Sequence, residues 1–230
     1  MRIIKAYTDV ISPSLDHLDE INDIYQRIEY AGRTCYKSTD RITPISARSF
    51  VRKIVQNHHE AMLEHASVTV RFVVDRGVSH ELVRHRLASY AQESTRYCNY
   101  SKDKFGNELT FIEPCFWTDA RHELQMKTWE SWMQAIENQY IAYIQGGATP
   151  QEARCLLPNS LKTEVIMTAN LREWRHFFRL RAAGVTGAPH PQMMEVSVPL
   201  FLKLRKAFPE VFDDIVVPTD ILKKYGGVEE

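Results

Sequence analysis

The sequence predicts an α+β fold in which helices pack on a small, largely antiparallel sheet, and it predicts a single domain over residues 1–230. Three observations favour this fold class. Apolar residues recur at the three- and four-residue spacing of helix faces through most of the chain. Strict alternation, the pattern of a strand with one buried face, is confined to short stretches. Prolines and glycines are dispersed, and no repeat or linker-like tract divides the chain.

In the N-terminal half, strand and helix patterns follow one another. The predicted elements are a strand over residues 2–10, helices over 16–30 and 46–58, a strand within 67–76, and a helix over 77–88. The second strand is marked by alternating Val68, Val70 and Phe72, and Gly77 breaks it. The polar segment 89–107, with scattered aromatic residues, is predicted to be a structured loop.

The C-terminal half is predicted to be mostly helical. The predicted elements are a long helix over residues 118–145, a short helix after Thr149, a mixed segment over 161–171, and helices over 171–181 and 191–207. Gly146 and Gly147 end the long helix, and the Thr149-Pro150 pair starts the next one. Helices therefore dominate the predicted fold, with only a few strands between them.

Composition excludes several classes of protein. Lys and Arg total 29 and Asp and Glu total 29, so the formal net charge is zero, which argues against a general nucleic-acid or membrane-surface binder. No apolar run approaches the ~18 residues of a membrane span, and the N-terminus lacks the apolar core of a signal peptide. The four cysteines are widely spaced without a CxxC pair, as expected for reduced thiols in the cytoplasm.

The densest polar cluster runs from Arg84 to Tyr97 and contains three arginines, a histidine and several hydroxyl groups. Arginine presents a rigid fork of donors that suits phosphate and carboxylate oxygens, and backbone N–H groups of an irregular loop add to such a site. The pattern therefore favours a phosphorylated small molecule as ligand. A solvated helix end followed by a polar loop is the alternative interpretation.

The helix over 171–181 carries a second unusual pattern. At ~100° per residue, its other arginines and His176 fall on one side, while Leu171 and the aromatic residues fall on the opposite side. Arg181 lies in the middle of the aromatic side, where its guanidinium must reach solvent or find an anion. The alternative is that Arg181, in the last turn, favours the helix C-terminus and escapes to water.

The histidines near residue 60 do not fit a known metal motif. His59 and His65 are six residues apart, whereas an HExxH helix places both histidines on one face four residues apart. The sequence also lacks a Gly-x-Ser-x-Gly elbow, a GxGxxG turn and a P-loop. We therefore predict no metal site, and any nucleotide is expected to be held by arginines and loops.

The segment RHRLASYAQESTRY, residues 84–97, resembles the signature of the flavin-dependent thymidylate synthases, the ThyX family. Three further segments resemble that family in the same order and spacing. These are HHEAMLEHASVTVRF from His58, EARCLLP from Glu152, and TANLREWRHFFRLR ending at Arg181. Together the four motifs extend from about residue 58 to residue 181, and the chain length suits the whole protein. Four motifs in register identify the chain as a member of this family.

The resemblance implies a reaction and an assembly. The family methylates dUMP to dTMP with methylenetetrahydrofolate as carbon source and NADPH-reduced FAD as hydride source. Its members are homotetramers whose active sites lie at subunit junctions. Partners are thus expected to be dUMP, folate, NADPH and further copies of the chain, with no nucleic acid and no membrane.

The resemblance also implies roles for individual residues. The implied flavin-binding residues are His59, Arg84, His85, Arg86, Gln92, Asn170, Leu171, Arg172 and His176. The implied substrate-binding residues are Glu81, Arg84, Gln92, Glu93, Ser94, Thr95, Arg96, Arg154 and Arg181. Arg181 and Ser94 are the implied catalytic residues: Arg181 polarises or ionises the uracil ring, and Ser94 binds the substrate and assists the polarisation.

A permanently charged guanidinium among aromatic residues suits that chemistry, because Coulomb interactions strengthen where water is excluded. No cysteine here resembles the nucleophile of a thymidylate synthase without flavin. Two other classes of function stay open at this point. One is a nucleic-acid-binding protein that uses the basic helix Arg172–Arg181, and the other is a metal-dependent hydrolase built on the histidines.

Overall fold

A computed structural model describes residues 1–103 and 106–227. The strands are β1 (Arg2–Ile4), β2 (Tyr7–Ser12), β3 (Ser67–Asp75), β4 (Ala88–Gln92), β5 (Thr110–Ile112) and β6 (Lys162–Asn170). The helices are α1 (Leu18–Cys35), α2 (Ser46–Gln56), α3 (Arg76–Leu82), α4 (Glu123–Gln145), α5 (Pro150–Ala153), α6 (Leu171–Arg181), α7 (Pro191–Ala207), α8 (Pro209–Phe212) and α9 (Thr219–Tyr225). Short 3-10 helices cover Thr39–Arg41, Glu60–His65, Ala120–His122 and Arg154–Leu156.

The larger sheet has the strand order β2-β3-β6-β4. Its two central strands, β3 and β6, are antiparallel. The N–H of Arg76, just after β3, donates to Leu161 O, just before β6, at 3.1 Å, and at the other end of the pair Leu171 N donates to Ala66 O at 2.9 Å. The smaller sheet pairs β1 with β5 in parallel, with Ile3 opposite Phe111. The predicted α+β class with a largely antiparallel sheet is confirmed.

The chain segments cluster into two compact units, each assembled from three stretches of sequence. Unit 1 comprises Met1–Tyr7, Phe72–Arg84 and Ala91–Val165. Its core packs one face of α4 against β5 and the residue just before β6, through Trp129, Met133, Tyr140, Phe111 and Leu161. The single domain over residues 1–230 stays a prediction.

Unit 2 comprises Thr8–Arg71, His85–Tyr90 and Ile166–Glu230, described as far as residue 227. Its core is an aromatic cluster around α6, in which the ring of Phe178 lies 5.3 Å from that of Phe201 and 5.6 Å from that of Phe212. Trp174 and Phe177 are also fully buried. Because α6 is surrounded by packed aromatic rings, its side chains have fixed directions.

Most predicted helices are present, and two of them have the predicted bounds, α6 at 171–181 and α7 at 191–207. The predicted strand over 2–10 is divided into β1 and β2. The mixed segment 161–171 forms the regular strand β6, because its alternating residues are buried on one side and half-buried on the other. No helix within residues 1–103 and 106–227 is long and apolar enough to span a membrane.

The predicted helix over 77–88 is wrong in its second half. Helix α3 ends at Leu82, the chain turns through Arg84, and β4 begins at Ala88. Residues 89–92, predicted as the start of a loop, belong to strand β4. Pairing with β6 gives their backbone N–H and C=O groups hydrogen-bond partners that a loop would lack. Residues 104 and 105 of that predicted loop lie outside the described residues.

Candidate functional site

Helix α6 begins with a well-defined cap. Asn170 Oδ1 accepts the N–H of Glu173 at 2.9 Å, which satisfies one of the unpaired donors of the first turn. The indole N–H of Trp174 donates to Val68 O at 3.1 Å, so the helix is tied to strand β3 within unit 2. These two bonds set the rotation of the helix and hence the position of Arg181 in its last turn.

The side chain of Arg181 is half-buried and bonds to a histidine. Its Nε–H donates to Nε2 of His85 at 3.2 Å. The other ring nitrogen of His85, Nδ1, lies 3.1 Å from Oε1 of Glu173. The backbone carbonyl of Arg181 accepts the hydroxyl proton of Ser197 at 2.6 Å. We call Glu173, His85 and Arg181 the arginine cluster, and all three belong to unit 2.

Two members of the arginine cluster, His85 and Glu173, are shielded from water. His85 is 3% exposed and Glu173 is 5% exposed. Burial, followed by the positive charges of Arg181 and His176, lowers the pKa of His85 to about 4. Burial raises the pKa of the Glu173 carboxyl. His85 is therefore a neutral imidazole at neutral pH, and it can accept a hydrogen bond from a guanidinium without adding charge.

Three possible metal ligands meet at the same place. The side chains of His85, Glu173 and His176 bring ligand atoms within 4.8 Å of one another. Both ring nitrogens of His85 already face protein partners, and one partner is the permanently charged guanidinium of Arg181. A cation beside a guanidinium is repelled, so the arrangement disfavours a metal ion. The absence of a metal site stays a prediction.

The other residues expected to bind flavin in unit 2 lie around α6 and near its N-terminus. The side chains of His59, Arg86, Arg172 and His176 are exposed. Arg172 forms an exposed ion pair with Glu64. Leu171 is fully buried and its N–H is bonded to Ala66 O, so its side chain cannot reach a ligand here. Exposed cations and ring donors suit an anionic dinucleotide.

The predicted phosphate-binding segment, residues 92–96, forms a turn in unit 1. The amide of Gln92 donates to Ser79 Oγ at 3.0 Å and to Thr163 Oγ1 at 3.2 Å, which fixes the start of the segment. Ser94 Oγ accepts the N–H of Arg96 at 3.3 Å, and the guanidinium of Arg96 is exposed. The segment therefore presents an exposed cation, which suits a phosphate, while the N–H groups of Glu93 and Arg96 are already bonded within the protein.

Glu93 holds this turn in place. Its carboxylate accepts hydrogen bonds from Tyr100 Oη at 2.9 Å and from Lys162 Nζ at 2.9 Å. Burial lowers the pKa of Lys162, but its bonds to Glu164 and Glu93 outweigh this, and the pKa is raised. A carboxylate engaged by a cation and a phenol fits a role in shaping the turn. Thr95 is 7% exposed, which also fits a structural position.

The remaining predicted substrate residues of unit 1 lie on separate elements. Glu81 is half-buried on α3, and Arg84 is exposed just beyond the end of that helix, where its N–H donates to Glu81 O at 3.2 Å. Arg154 is exposed at the start of the 3-10 helix Arg154–Leu156. Their roles in substrate binding stay predictions.

Sequence reasoning did not find Glu173. On the helical wheel it lies at the border between the aromatic side and the basic side, about 80° from Arg181. The signal that could have identified Glu173 is a carboxylate at this border, on a helix that also carries an arginine among aromatic residues. His85 came from the resemblance to the family, but its contact with Arg181 depends on tertiary structure.

The basic helix has little free charge for a polyanion. Arg175 is fully buried and ion-paired with Glu60 and Asp214, and Arg172 is paired with Glu64. A nucleic-acid-binding face needs several exposed, uncompensated cations along one side. The arrangement therefore disfavours the nucleic-acid-binding hypothesis.

Comparison with known proteins identifies the family. The model of the thymidylate synthase complementing proteins matches residues 17–210. This chain belongs to that family. It is 35% identical over 161 residues to a flavin-dependent thymidylate synthase of Geobacter sulfurreducens, covering 67% of each chain. It is 33% identical over 205 residues to one of Corynebacterium aurimucosum, covering 84% of this chain and 80% of the relative.

A solved structure shares the fold. The UMP/dUMP methylase PolB from Streptomyces cacaoi, bound with 5-Br dUMP, superposes with a TM-score of 0.72 at 18% identity, over 100% of both chains. The sequence-based identification of the family is confirmed, as is the prediction that the chain is an enzyme of the methyltransferase class.

Proposed function

We propose that this protein is a flavin-dependent thymidylate synthase that methylates dUMP to dTMP. Methylenetetrahydrofolate is the proposed carbon donor, and FAD reduced by NADPH is the proposed hydride source. Family membership and relatives named flavin-dependent thymidylate synthases support this reaction. The observation that carries the proposed mechanism is the bond from the Nε–H of Arg181 to a buried, neutral imidazole.

Arg181 is the proposed activator of the uracil ring. For methylation, carbon 5 of the ring must become nucleophilic, and negative charge then develops on the N3–C4=O edge. A guanidinium held in a fixed orientation stabilises that charge without reorganising when the reaction occurs. Because its partner His85 is neutral, the positive charge of Arg181 is not cancelled through this bond. No cysteine nucleophile is required by this mechanism.

The proposed dUMP site uses the turn at residues 92–96. The exposed guanidinium of Arg96 suits the phosphate, and Arg84, Arg154 and Glu81 are further proposed contacts. Ser94 is proposed to bind the substrate and to assist polarisation of the ring. A serine without an adjacent base is a poor nucleophile, so we assign it no covalent role.

The proposed flavin site of unit 2 uses the exposed donors His59, Arg86, Arg172 and His176. Flavin contacts by Arg84 and Gln92, which belong to unit 1, stay predictions. The guanidinium of Arg86 suits a pyrophosphate, and the ring N–H groups of the two histidines suit acceptor atoms of a dinucleotide. When bound, the flavin supplies the hydride, and the protein's part is to orient the reactants and exclude water. The proposed assembly is a homotetramer with active sites at subunit junctions, and the cytoplasmic location stays a prediction.

The visible spectrum of the purified full-length protein tests this function. We expect a flavin absorption that bleaches when NADPH is added without oxygen. Adding dUMP and methylenetetrahydrofolate to the reduced protein should then restore the absorption and yield dTMP. A protein reconstituted with FAD that forms no dTMP under these conditions contradicts the proposed function. If the protein forms no dTMP but lowers the electrophoretic mobility of DNA in a salt-sensitive way, the nucleic-acid-binding alternative is favoured.

A further inference from the structure

The orientation of Arg181 depends on which ring nitrogen of His85 carries the proton. Arginine has only donors, so the bond from its Nε–H requires an unprotonated Nε2 on His85. In a neutral imidazole the single proton must then be on Nδ1. That nitrogen faces Oε1 of Glu173 at 3.1 Å, and this oxygen must therefore accept.

The reverse arrangement fails. With Nδ1 unprotonated, His85 would carry its proton on Nε2, and two donors would face each other across 3.2 Å. Because Oε1 of Glu173 accepts from Nδ1–H, it favours the tautomer that leaves Nε2 free to accept from Arg181. Glu173 is placed for this because it is the third residue of α6, and its own N–H is anchored by Asn170.

Neighbouring aromatic rings and a backbone hydrogen bond hold the imidazole of His85 in its orientation. The ring of Phe177 lies 4.9 Å from that of His85 in an edge-on arrangement, and the ring of His176 lies 5.7 Å away. The hydroxyl of Tyr90 donates to the backbone carbonyl of His85 at 2.7 Å. Both the side chain and the backbone of His85 are thus fixed, and Arg181 is held at its Nε and at its backbone carbonyl.

We propose that Glu173 is a positioning residue that fixes the tautomer of His85 and thereby the orientation of the Arg181 guanidinium. This inference rests on the proposed function, because it assigns Arg181 its task in uracil activation. Glu173 is not expected to contact substrate or cofactor, since it is buried and its carboxylate faces His85. In this proposal His85 acts through Arg181, and its implied contact with the flavin stays a prediction.

Two substitutions separate positioning from simple folding. Glu173→Ala removes the acceptor and lets His85 change tautomer, so kcat for dTMP formation should fall about 10- to 100-fold, the scale of a misplaced catalytic group. The KM for dUMP should change less than about threefold, because phosphate binding does not involve this cluster. Glu173→Gln keeps a carbonyl oxygen that accepts the Nδ1 proton, and it should recover kcat to within about fivefold of wild type.

Glu210 offers a matched control. Its carboxylate is also buried, with 5% of the side chain exposed, and it accepts the hydroxyl proton of Tyr25. Glu210→Ala should lower thermal stability while leaving kcat per folded enzyme within about twofold of wild type. If Glu210→Ala and Glu173→Ala lower kcat equally, the effect of Glu173 is structural and the proposal fails.

A spectroscopic measurement tests the tautomer without turnover. Long-range proton–nitrogen NMR spectra of full-length, flavin-loaded protein labelled with nitrogen-15 histidine report which ring nitrogen is protonated, with the His85 signals assigned from a His85→Gln spectrum. We expect the Nδ1–H form in wild type and in Glu173→Gln, and a shift toward the other form in Glu173→Ala. An Nε2–H form in wild type overturns the proposal.

Failure of the proposed function is distinguishable from failure of this inference. If the wild-type protein makes no dTMP while His85 shows the Nδ1–H form, the reaction is wrong and the role in catalysis falls with it. If wild type makes dTMP and folded Glu173→Ala keeps kcat within about threefold, the reaction stands and the positioning role is wrong.

Discussion

Two arginines on the same helix have opposite surroundings. Arg175 is fully buried and surrounded by acceptors: its guanidinium bonds to both carboxylate oxygens of Asp214, to Glu60, and to the carbonyl of Val211. Arg181, six residues later, is half-buried, and its Nε–H donates to a neutral imidazole. The first arginine is paired with two acids, whereas the Nε–H of the second bonds to a partner without charge.

The difference separates the structural role of this helix from its proposed role in the site. Arg175 ties α6 to the 3-10 helix Glu60–His65 and to the segment after α8. Burial by itself would raise the pKa values of Glu60 and Asp214. The hydrogen bonds and positive charge of Arg175 have the larger combined effect, so both pKa values are lowered and both acids stay ionised. An arginine saturated in this way has no charge to offer a substrate. The bond from Arg181 to His85 does not neutralise the charge that the proposed chemistry needs, because the acceptor is uncharged.

The largest expected effect is on activity at Arg181. Arg181→Ala should lower the rate of dTMP formation by at least ~10²-fold, the usual scale for the loss of an electrostatic stabiliser. Its thermal unfolding temperature should stay close to that of wild type. Steady-state kinetics with saturating dUMP, beside a thermal melt, checks both. Near-normal turnover in folded Arg181→Ala would remove Arg181 from the mechanism.

At Arg175 the expected effect is on stability. Arg175→Ala should lower the free energy of unfolding by about 3–5 kcal/mol, because it leaves the buried acids without their cation. Urea unfolding at one fixed protein concentration measures this. Asp214→Asn, which removes one acid and keeps the arginine paired with Glu60, should cost less. An Arg175→Ala protein as stable as wild type would contradict the structural role.

The neutral imidazole predicts a pH dependence of stability. An ordinary histidine, as in the unfolded chain, has a pKa of 6.5, whereas the pKa of His85 in the folded protein is about 4. Between these values the unfolded chain binds more protons, so the free energy of unfolding falls as the pH falls from about 6.5 toward 4. The contribution of His85 to this loss is roughly 2 kcal/mol between pH 6.5 and 5.

The control for this prediction is His85→Gln. The variant lacks the titrating imidazole, so its stability should depend less steeply on pH over the same range. Urea unfolding at several pH values between 5 and 7 compares the two proteins at equal concentration. Equal slopes for wild type and His85→Gln would show that His85 is not held neutral by its surroundings.

The smallest expected effect is at the cysteines. Cys35 and Cys155 are exposed, and Cys98 and Cys115 are half-buried. Changing each in turn to Ala should leave turnover within about twofold of wild type, since the proposed activation is electrostatic and needs no thiol nucleophile. Initial rates with FAD bound provide the measurement. Abolished turnover in any single variant with FAD still bound would favour a thiol mechanism.

Much of the fold was predictable from local pattern. The bounds of α6 and α7 followed from their apolar periodicity, and β3 followed from strict alternation, because these elements bury one continuous face. The strand β4 was not predictable in this way. Its sequence is polar and short, and pairing within the sheet, which is a non-local contact, overrides its local preference.

The sequence by itself determined the family and singled out Arg181 as a charge on an apolar helix side. Only the tertiary structure decided what surrounds that charge. His85 and Glu173 are 88 residues apart, and no periodicity relates them. The wheel placed Arg175 with the other arginines, yet it is buried, because chain segments distant in sequence cover that side of α6. Burial and hydrogen-bond partners depend on such distant segments, and these properties separate a structural arginine from one available for chemistry.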